Sequence, residues 1–146
     1  MDEHKVEHVS EKFRESGYGM VMVRGFSSDE GLSYKCYSTI SKQEVKIVLD
    51  GTSRNLSLMP FDLSSMINGD FIVEHPDHAG VKKMAKWAAE FIDDEPVIVA
   101  ACQEGGFSTF GVGDVPMLAY MCIRVLTFME DDTKGQGLTM FGPSAN

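Results

Sequence analysis

Apolar positions recur at helical spacing in three stretches and alternate, or run on unbroken, in several others, and that pattern predicts the elements. Residues Asp2 to Glu15 place Val6, Val9 and Phe13 on one side of a short amphipathic helix stopped by Ser16-Gly17. Asp77 is positioned to cap a second helix whose Val81, Met84, Ala85, Ala88, Phe91 and Ile92 form one apolar face, with Trp87 at its edge and Pro96 barring continuation. The third helix starts at Val115, after the N-cap residue Asp114 and with Pro116 where a missing donor costs little. Leu118, Met121, Cys122, Val125 and Met129 line one side of it, and Met117, Ala119, Ile123, Leu126 and Phe128 fill most of the others. A helix apolar nearly all round is expected to be buried on several sides. Fifteen residues to Met129 fall short of the roughly 20 that cross a bilayer.

The strand pattern lies between these helices. Tyr18 to Phe26 is built on Met20, Val21, Met22 and Val23, and Ser27 to Gly31 is turn chemistry. Leu32, Tyr34, Cys36 and Ile40 share one face of the next stretch; Val45, Ile47 and Leu49 then alternate with polar neighbours. Asp50-Gly51 reads as a turn, with Leu56 to Met59 as its return strand. Pro60 to Ile67 reads as a short helix closed by Asn68-Gly69, and Phe71 to Val73 as a brief strand. Val97 to Cys102 is the unbroken apolar run of a buried strand, joined through Gly105-Gly106 to Phe107–Val112 as a hairpin. The expected fold is α+β: an antiparallel β-meander plus a C-terminal strand hairpin, with an N-terminal helix and two longer helices packed on one face. Residues 1–132 are expected to form one domain, and 133–146, with three glycines and a proline, a C-terminal tail carrying Leu138, Met140 and Phe141.

Charge narrows the partners. The 146 residues carry a net charge of -9. That opposes binding nucleic acid through its phosphates and favours a protein with a basic surface. The three cysteines, Cys36, Cys102 and Cys122, sit in apolar elements without a CxxC pair, which fits reduced thiols in the cytoplasm. The N-terminus is charged and shows no signal-peptide pattern. No membrane partner is expected.

Candidate chemistry is sparse. Asp93-Asp94-Glu95 and Glu130-Asp131-Asp132 follow the two longer helices, where negative charge opposes the helix dipole. Both are expected to contact a basic partner, or to be solvated acidic loops. Phe107 and Phe110 are expected as further partner anchors. The glycine-rich stretch from Gln103 to Asp114 offers Gln103, Gly105, Gly106, Ser108 and Thr109 to a small molecule or nucleotide, but it lacks GxGxxG and the Lys-Ser/Thr of a phosphate loop. His4 and His8, and His75 and His78 beside Glu74, have chelating spacings without a third ligand, so neither a metal nor another cofactor is expected.

No catalytic constellation is visible. The leading expectation is therefore a non-enzymatic, acidic interaction module, an adaptor, inhibitor or chaperone-like protein of phage or bacterial origin. In element order, size and acidity it loosely resembles the small acidic chaperones of bacterial secretion systems, without a shared motif. The alternatives are a small-molecule or nucleotide-binding domain using residues 103–114, and a structural component of a larger assembly; a homo-oligomer is compatible with each.

Overall fold

Four helices and six strands alternate in a computed structural model that describes residues 3–28, 31–57, 66–69, 78–93, 96–103, 106–130 and 138–140. Their order is α1 (Glu3–Glu15), β1 (Gly19–Ser28), β2 (Gly31–Ser38), α2 (Lys42–Ser57), β3 (Met66–Gly69), α3 (His78–Ile92), β4 (Val97–Gln103), β5 (Gly106–Val112), α4 (Val115–Glu130) and β6 (Leu138–Met140). The strands form one sheet in the order β3-β5-β4-β1-β2-β6. All neighbours are antiparallel except β6, which joins β2 in parallel. The α+β class and the C-terminal hairpin therefore stand as expected.

Two details of the expectation are corrected. The second half of the supposed meander is helix α2. Val45, Val48, Leu49, Thr52 and Leu56 are buried along it, the i, i+3, i+4 spacing of a helix face, whereas Ile47, required inside by a strand reading, is 68% exposed. Ser41 caps this helix: its Oγ accepts from the Glu44 N–H (3.2 Å) and its hydroxyl donates to Glu44 Oε1 (2.9 Å), within a Ser-x-x-Glu sequence of the capping-box kind. Gly51 lies inside the helix, where it gives room to the Phe107 ring. Asp50 meanwhile pairs with Arg54 across one turn at 2.6 Å.

The helices also cover both faces of the sheet rather than one. Val21, Val23, Cys36, Ile98, Ala100, Cys102 and Phe107 point into a core shared with α2 and α4. Met20, Met22, Tyr37, Val97, Val99, Ala101 and Phe110 point the other way, into a core shared with α1 and α3. Alternate residues of β1 and β4 thus fill opposite cores, which is why both strands read as unbroken apolar runs. Helix α4, expected to be buried on several sides, is an outer-layer helix with Tyr120 50% and Ile123 51% exposed. Phe91 likewise sits at the surface of α3, stacked on Trp87 with ring centroids 5.4 Å apart. Of the expected short helix at 60–67, residues Met66 and Ile67 belong to β3; the remainder, and the strand at 71–73, lie outside the described residues. The stretch expected as a tail contributes β6.

The element order contains the same unit twice. Helix, two-strand hairpin, helix describes both α1-β1-β2-α2 and α3-β4-β5-α4. Their first strands pair antiparallel at the centre of the sheet, with Met22 opposite Val99. An approximate two-fold axis therefore passes beside that pair, relating α1 to α3 on one face and α2 to α4 on the other. Close packing depends on one glycine at the junction of the units and on another inside the second unit. A Cβ on Gly25 would meet Pro96 Cγ at 2.8 Å, and one on Gly111 would meet Leu118 Cδ1 at 3.0 Å. The N-terminal helix is tied down by Glu3, which accepts from Tyr37 Oη at 2.9 Å and Lys35 Nζ at 3.1 Å.

Candidate docking surface

A recess opens where the first turns of α2 meet the turn end of the β4–β5 hairpin. Ile40, Glu44, Ile47 and Val48 form one wall; Cys102, Gln103, Gly106 and Phe107 form the other, around about 300 Å³. The antiparallel register brings the second wall together, since Cys102 pairs with Phe107 and Gln103 with Gly106. The first wall follows from the cap, because Ser41 starts the helix so that Glu44, Ile47 and Val48 fall on neighbouring sides of its first two turns. Most of the lining is apolar. Among the described lining residues the one carboxylic acid is Glu44, held at the rim by Ser41. Ile47 stands exposed at the mouth, and Phe107, only 6% exposed, forms the floor.

Thiol chemistry is disfavoured at this site. Burial, with the Glu44 charge adding to it, pushes the Cys102 thiol up to about 12. Burial does the same for Cys122, also to about 12, and burial together with Cys122 raises Cys36. All three thiols belong to the α2/α4 core, whereas His4 and His8 lie on α1, across the sheet. A thiol held protonated is neither a nucleophile nor a metal ligand. Among the described residues, no three His, Cys, Asp or Glu side chains come together as metal ligands do.

The residues singled out in the sequence are distributed as follows. Gln103 and Gly106 line the recess; Gly105 lies outside the described residues. Ser108 and Thr109 are buried instead, with Thr109 Oγ1 3.4 Å from Thr52 Oγ1 of α2, so neither faces a ligand in the recess. Phe107 and Phe110 are corrected as exposed anchors: they are buried in the two cores on opposite faces of the sheet. Alternation along β5 makes that outcome unavoidable once both faces are covered.

Asp93 is exposed and takes a left-handed backbone (φ 56°) just past α3, its N–H bonding to the Ala89 carbonyl at 3.2 Å. It is the residue that ends the helix. Asp94, Glu95, Asp131 and Asp132 lie outside the described residues, as does the side chain of Glu130. The helices leading into the two acidic stretches pack on opposite faces of the sheet, α3 on one and α4 on the other.

Sequence reasoning missed Ile40, Glu44, Ile47 and Val48, half of the recess. The Ser41-x-x-Glu44 box was the available signal: it marks a helix start, and a helix start puts Ile47 outside. Among the described residues no helix is long and apolar enough to cross a membrane. No family model, curated protein or solved structure matches the chain.

Proposed function

We propose that this chain is a non-enzymatic interaction module, an adaptor, inhibitor or chaperone-like protein of the cytoplasm, that binds another protein. It takes an apolar side chain of that protein into the recess between α2 and the β4–β5 hairpin. The observation that carries the reading is the composition of this recess among the described residues: apolar walls, an exposed isoleucine at the mouth and the Glu44 carboxylate at the rim. A partner side chain entering there removes Ile47 and itself from water, while Glu44 meets a basic residue beside it. The net charge of -9 steers a basic surface towards the molecule at long range. Buried, protonated thiols fit a reducing cytoplasm.

A second reading uses the same recess for a small molecule. Its volume of about 300 Å³ is at the lower end of ligand sites, and the Gln103 side chain supplies the amide that would orient a ligand. The two readings respond differently to salt. A charge-steered protein contact weakens as ions screen it, and an apolar ligand does not.

The test is affinity capture at low and high salt with the wild type, Ile47→Lys and Glu44→Lys, followed by mass spectrometry. Both substitutions are on the surface of α2. A protein retained by the wild type at low salt and lost from both variants is the expected result. The same proteins recovered with all three chains would overturn the reading. A ligand-induced rise in melting temperature without a protein partner would replace it with the second.

A further inference from the structure

The approximate two-fold axis requires that whatever α2 builds with the second hairpin, α4 builds some version of with the first. It does. Ile47 and Tyr120 are each the fifth residue after the first residue of their helices, and both are large, apolar and half exposed or more. Around Tyr120, a second recess of about 480 Å³ is lined by Asp114, Pro116, Met117 and Tyr120. Tyr34 of the first hairpin packs against two of these residues from behind the recess: its Oη lies 3.8 Å from Met117 Sδ, and its ring meets the Tyr120 ring edge-on at 6.0 Å.

The resemblance extends to charge. Asp114 stands at the rim of the second recess as Glu44 stands at the rim of the first, each at the start of its helix. The nearest cation along α4, Arg124, lies over the Phe128 ring at 5.0 Å, and its charge also reaches the Tyr34 phenol. Both recesses open on the α2/α4 side of the sheet and at opposite ends of β4. The first touches Cys102 and Gln103, whereas the second begins beyond Gly113, whose backbone packs on Pro96. Six or seven strand residues at about 3.3 Å each separate them by about 20 Å.

The geometry points to a bivalent docking face that takes one basic, amphipathic helical segment of a partner protein through two apolar side chains, one in each recess. Two acidic rims on a chain of charge -9 select a basic segment. The separation matches residues fourteen apart on a helix, about 21 Å along one side. The inference rests on the docking role of the first recess and adds the second site and the spacing. Bivalency matters because the second contact forms intramolecularly, at an effective concentration near millimolar, which multiplies weak single contacts by 10² to 10⁴.

The probes are two helix-stabilised alanine/lysine peptides, one with a single leucine and one with leucines fourteen residues apart, titrated calorimetrically against the wild type, Ile47→Lys and Tyr120→Lys. For the wild type we expect the two-leucine peptide to bind one per chain and at least about tenfold more tightly than the one-leucine peptide. In either variant that advantage should disappear while binding of the one-leucine peptide persists. Tyr120→Ser replaces Tyr120→Lys if circular dichroism shows the latter unfolded.

Equal affinity of the two peptides, with binding sensitive to Ile47→Lys alone, would overturn bivalency and leave the first recess standing. No binding of either peptide to the wild type would overturn the docking role itself, and this inference with it. A dimer in sedimentation that Tyr120→Lys dissolves would assign the face to a second copy of the chain and equally overturn the proposal.

Discussion

Replacing Ser41 by Ala tests the element on which the proposed site depends. The serine Oγ accepts from the Glu44 N–H at 3.2 Å, and its hydroxyl donates to the Glu44 carboxylate at 2.9 Å, both at an exposed helix start. Losing an N-cap of this kind costs about 1 kcal/mol, within a range of about 0.5 to 2. With an unfolding entropy of about 2.1 cal/mol/K per residue, each kcal/mol corresponds to roughly 3 °C for a chain of this length. The expected result is a melting temperature about 3 °C lower, with faster amide exchange confined to the first turn of α2. Ser41→Asp restores an acceptor for the Glu44 N–H and should recover part of the loss, though its charge opposes Glu44. A double-mutant cycle with Glu44→Ala isolates the coupling between the two side chains. If residues 45–49 were the strand that their alternation suggests, Ser41→Ala would leave the melting temperature within about 1 °C of wild type and the cycle would show no coupling. That result would refute both the cap and the placement of Glu44 and Ile47 on the recess.

Further expectations follow from packing and charge elsewhere. Gly25→Ala forces a Cβ to within 2.8 Å of Pro96 Cγ, so denaturant titration should show a loss of about 1 to 3 kcal/mol. Asp93→Gly relieves a left-handed backbone and removes a negative charge from the C-terminal end of α3, and should raise the melting temperature by about 3 °C. Burial alone would raise the Glu3 carboxyl, but hydrogen bonds from Tyr37 and Lys35 outweigh it and hold the group below its ordinary 4.5. A depressed folded-state value means that the stabilisation is present above 4.5 and is lost as pH falls through the folded value. Thermal melts of wild type and Tyr37→Phe should therefore differ most near neutrality and converge in acid, and a constant difference would argue against the linkage. The three thiols should react with a maleimide only at the rate of global or local opening, Cys102 first because it borders the recess; immediate labelling of the native protein would contradict their burial.

The fold was readable where one signal had no competitor. Helix α4 begins at Val115 and α3 ends at Ile92, as Asp114-Val115-Pro116 and Pro96 require, because caps and prolines act locally. Helix α2 was not read correctly because Val45, Ile47, Val48 and Leu49 satisfy two periods at once. Alternation picks Val45, Ile47 and Leu49; helical spacing picks Val45, Val48, Leu49, Thr52 and Leu56. The second set is longer and buries more, so it decides the structure, and the Asp50-Gly51 pair that resembles a turn becomes an ion-paired helix interior. Helices on both faces were also implied, since the continuous run from Val97 to Cys102 needs cover on each side. The recess itself had no linear signature. Its walls come from the β2–α2 connection, α2, β4 and β5, and only the two-fold arrangement sets α2 against the hairpin of the other unit.

That arrangement also explains why α2 and α4 each carry a broad apolar face. In a single helix-hairpin-helix unit, a helix as apolar as α4 would have nothing to cover it. Pairing two units gives each of α2 and α4 a sheet beneath and a helix beside, which buries Val45, Val48 and Leu49 on one and Leu118, Met121, Cys122 and Val125 on the other. Ile47, Tyr120 and Ile123 gain less from folding, since each keeps half or more of its surface in water, although Tyr120 still meets the Tyr34 ring edge-on. The packing thus accounts for these three residues less fully than for the core, and the proposed docking face would make use of them. Replacing all three by lysine should leave the thermal stability within about 1 kcal/mol of wild type while abolishing capture of the partner. A large fall in stability would show instead that the three positions serve the fold, and the case for a docking face would fail.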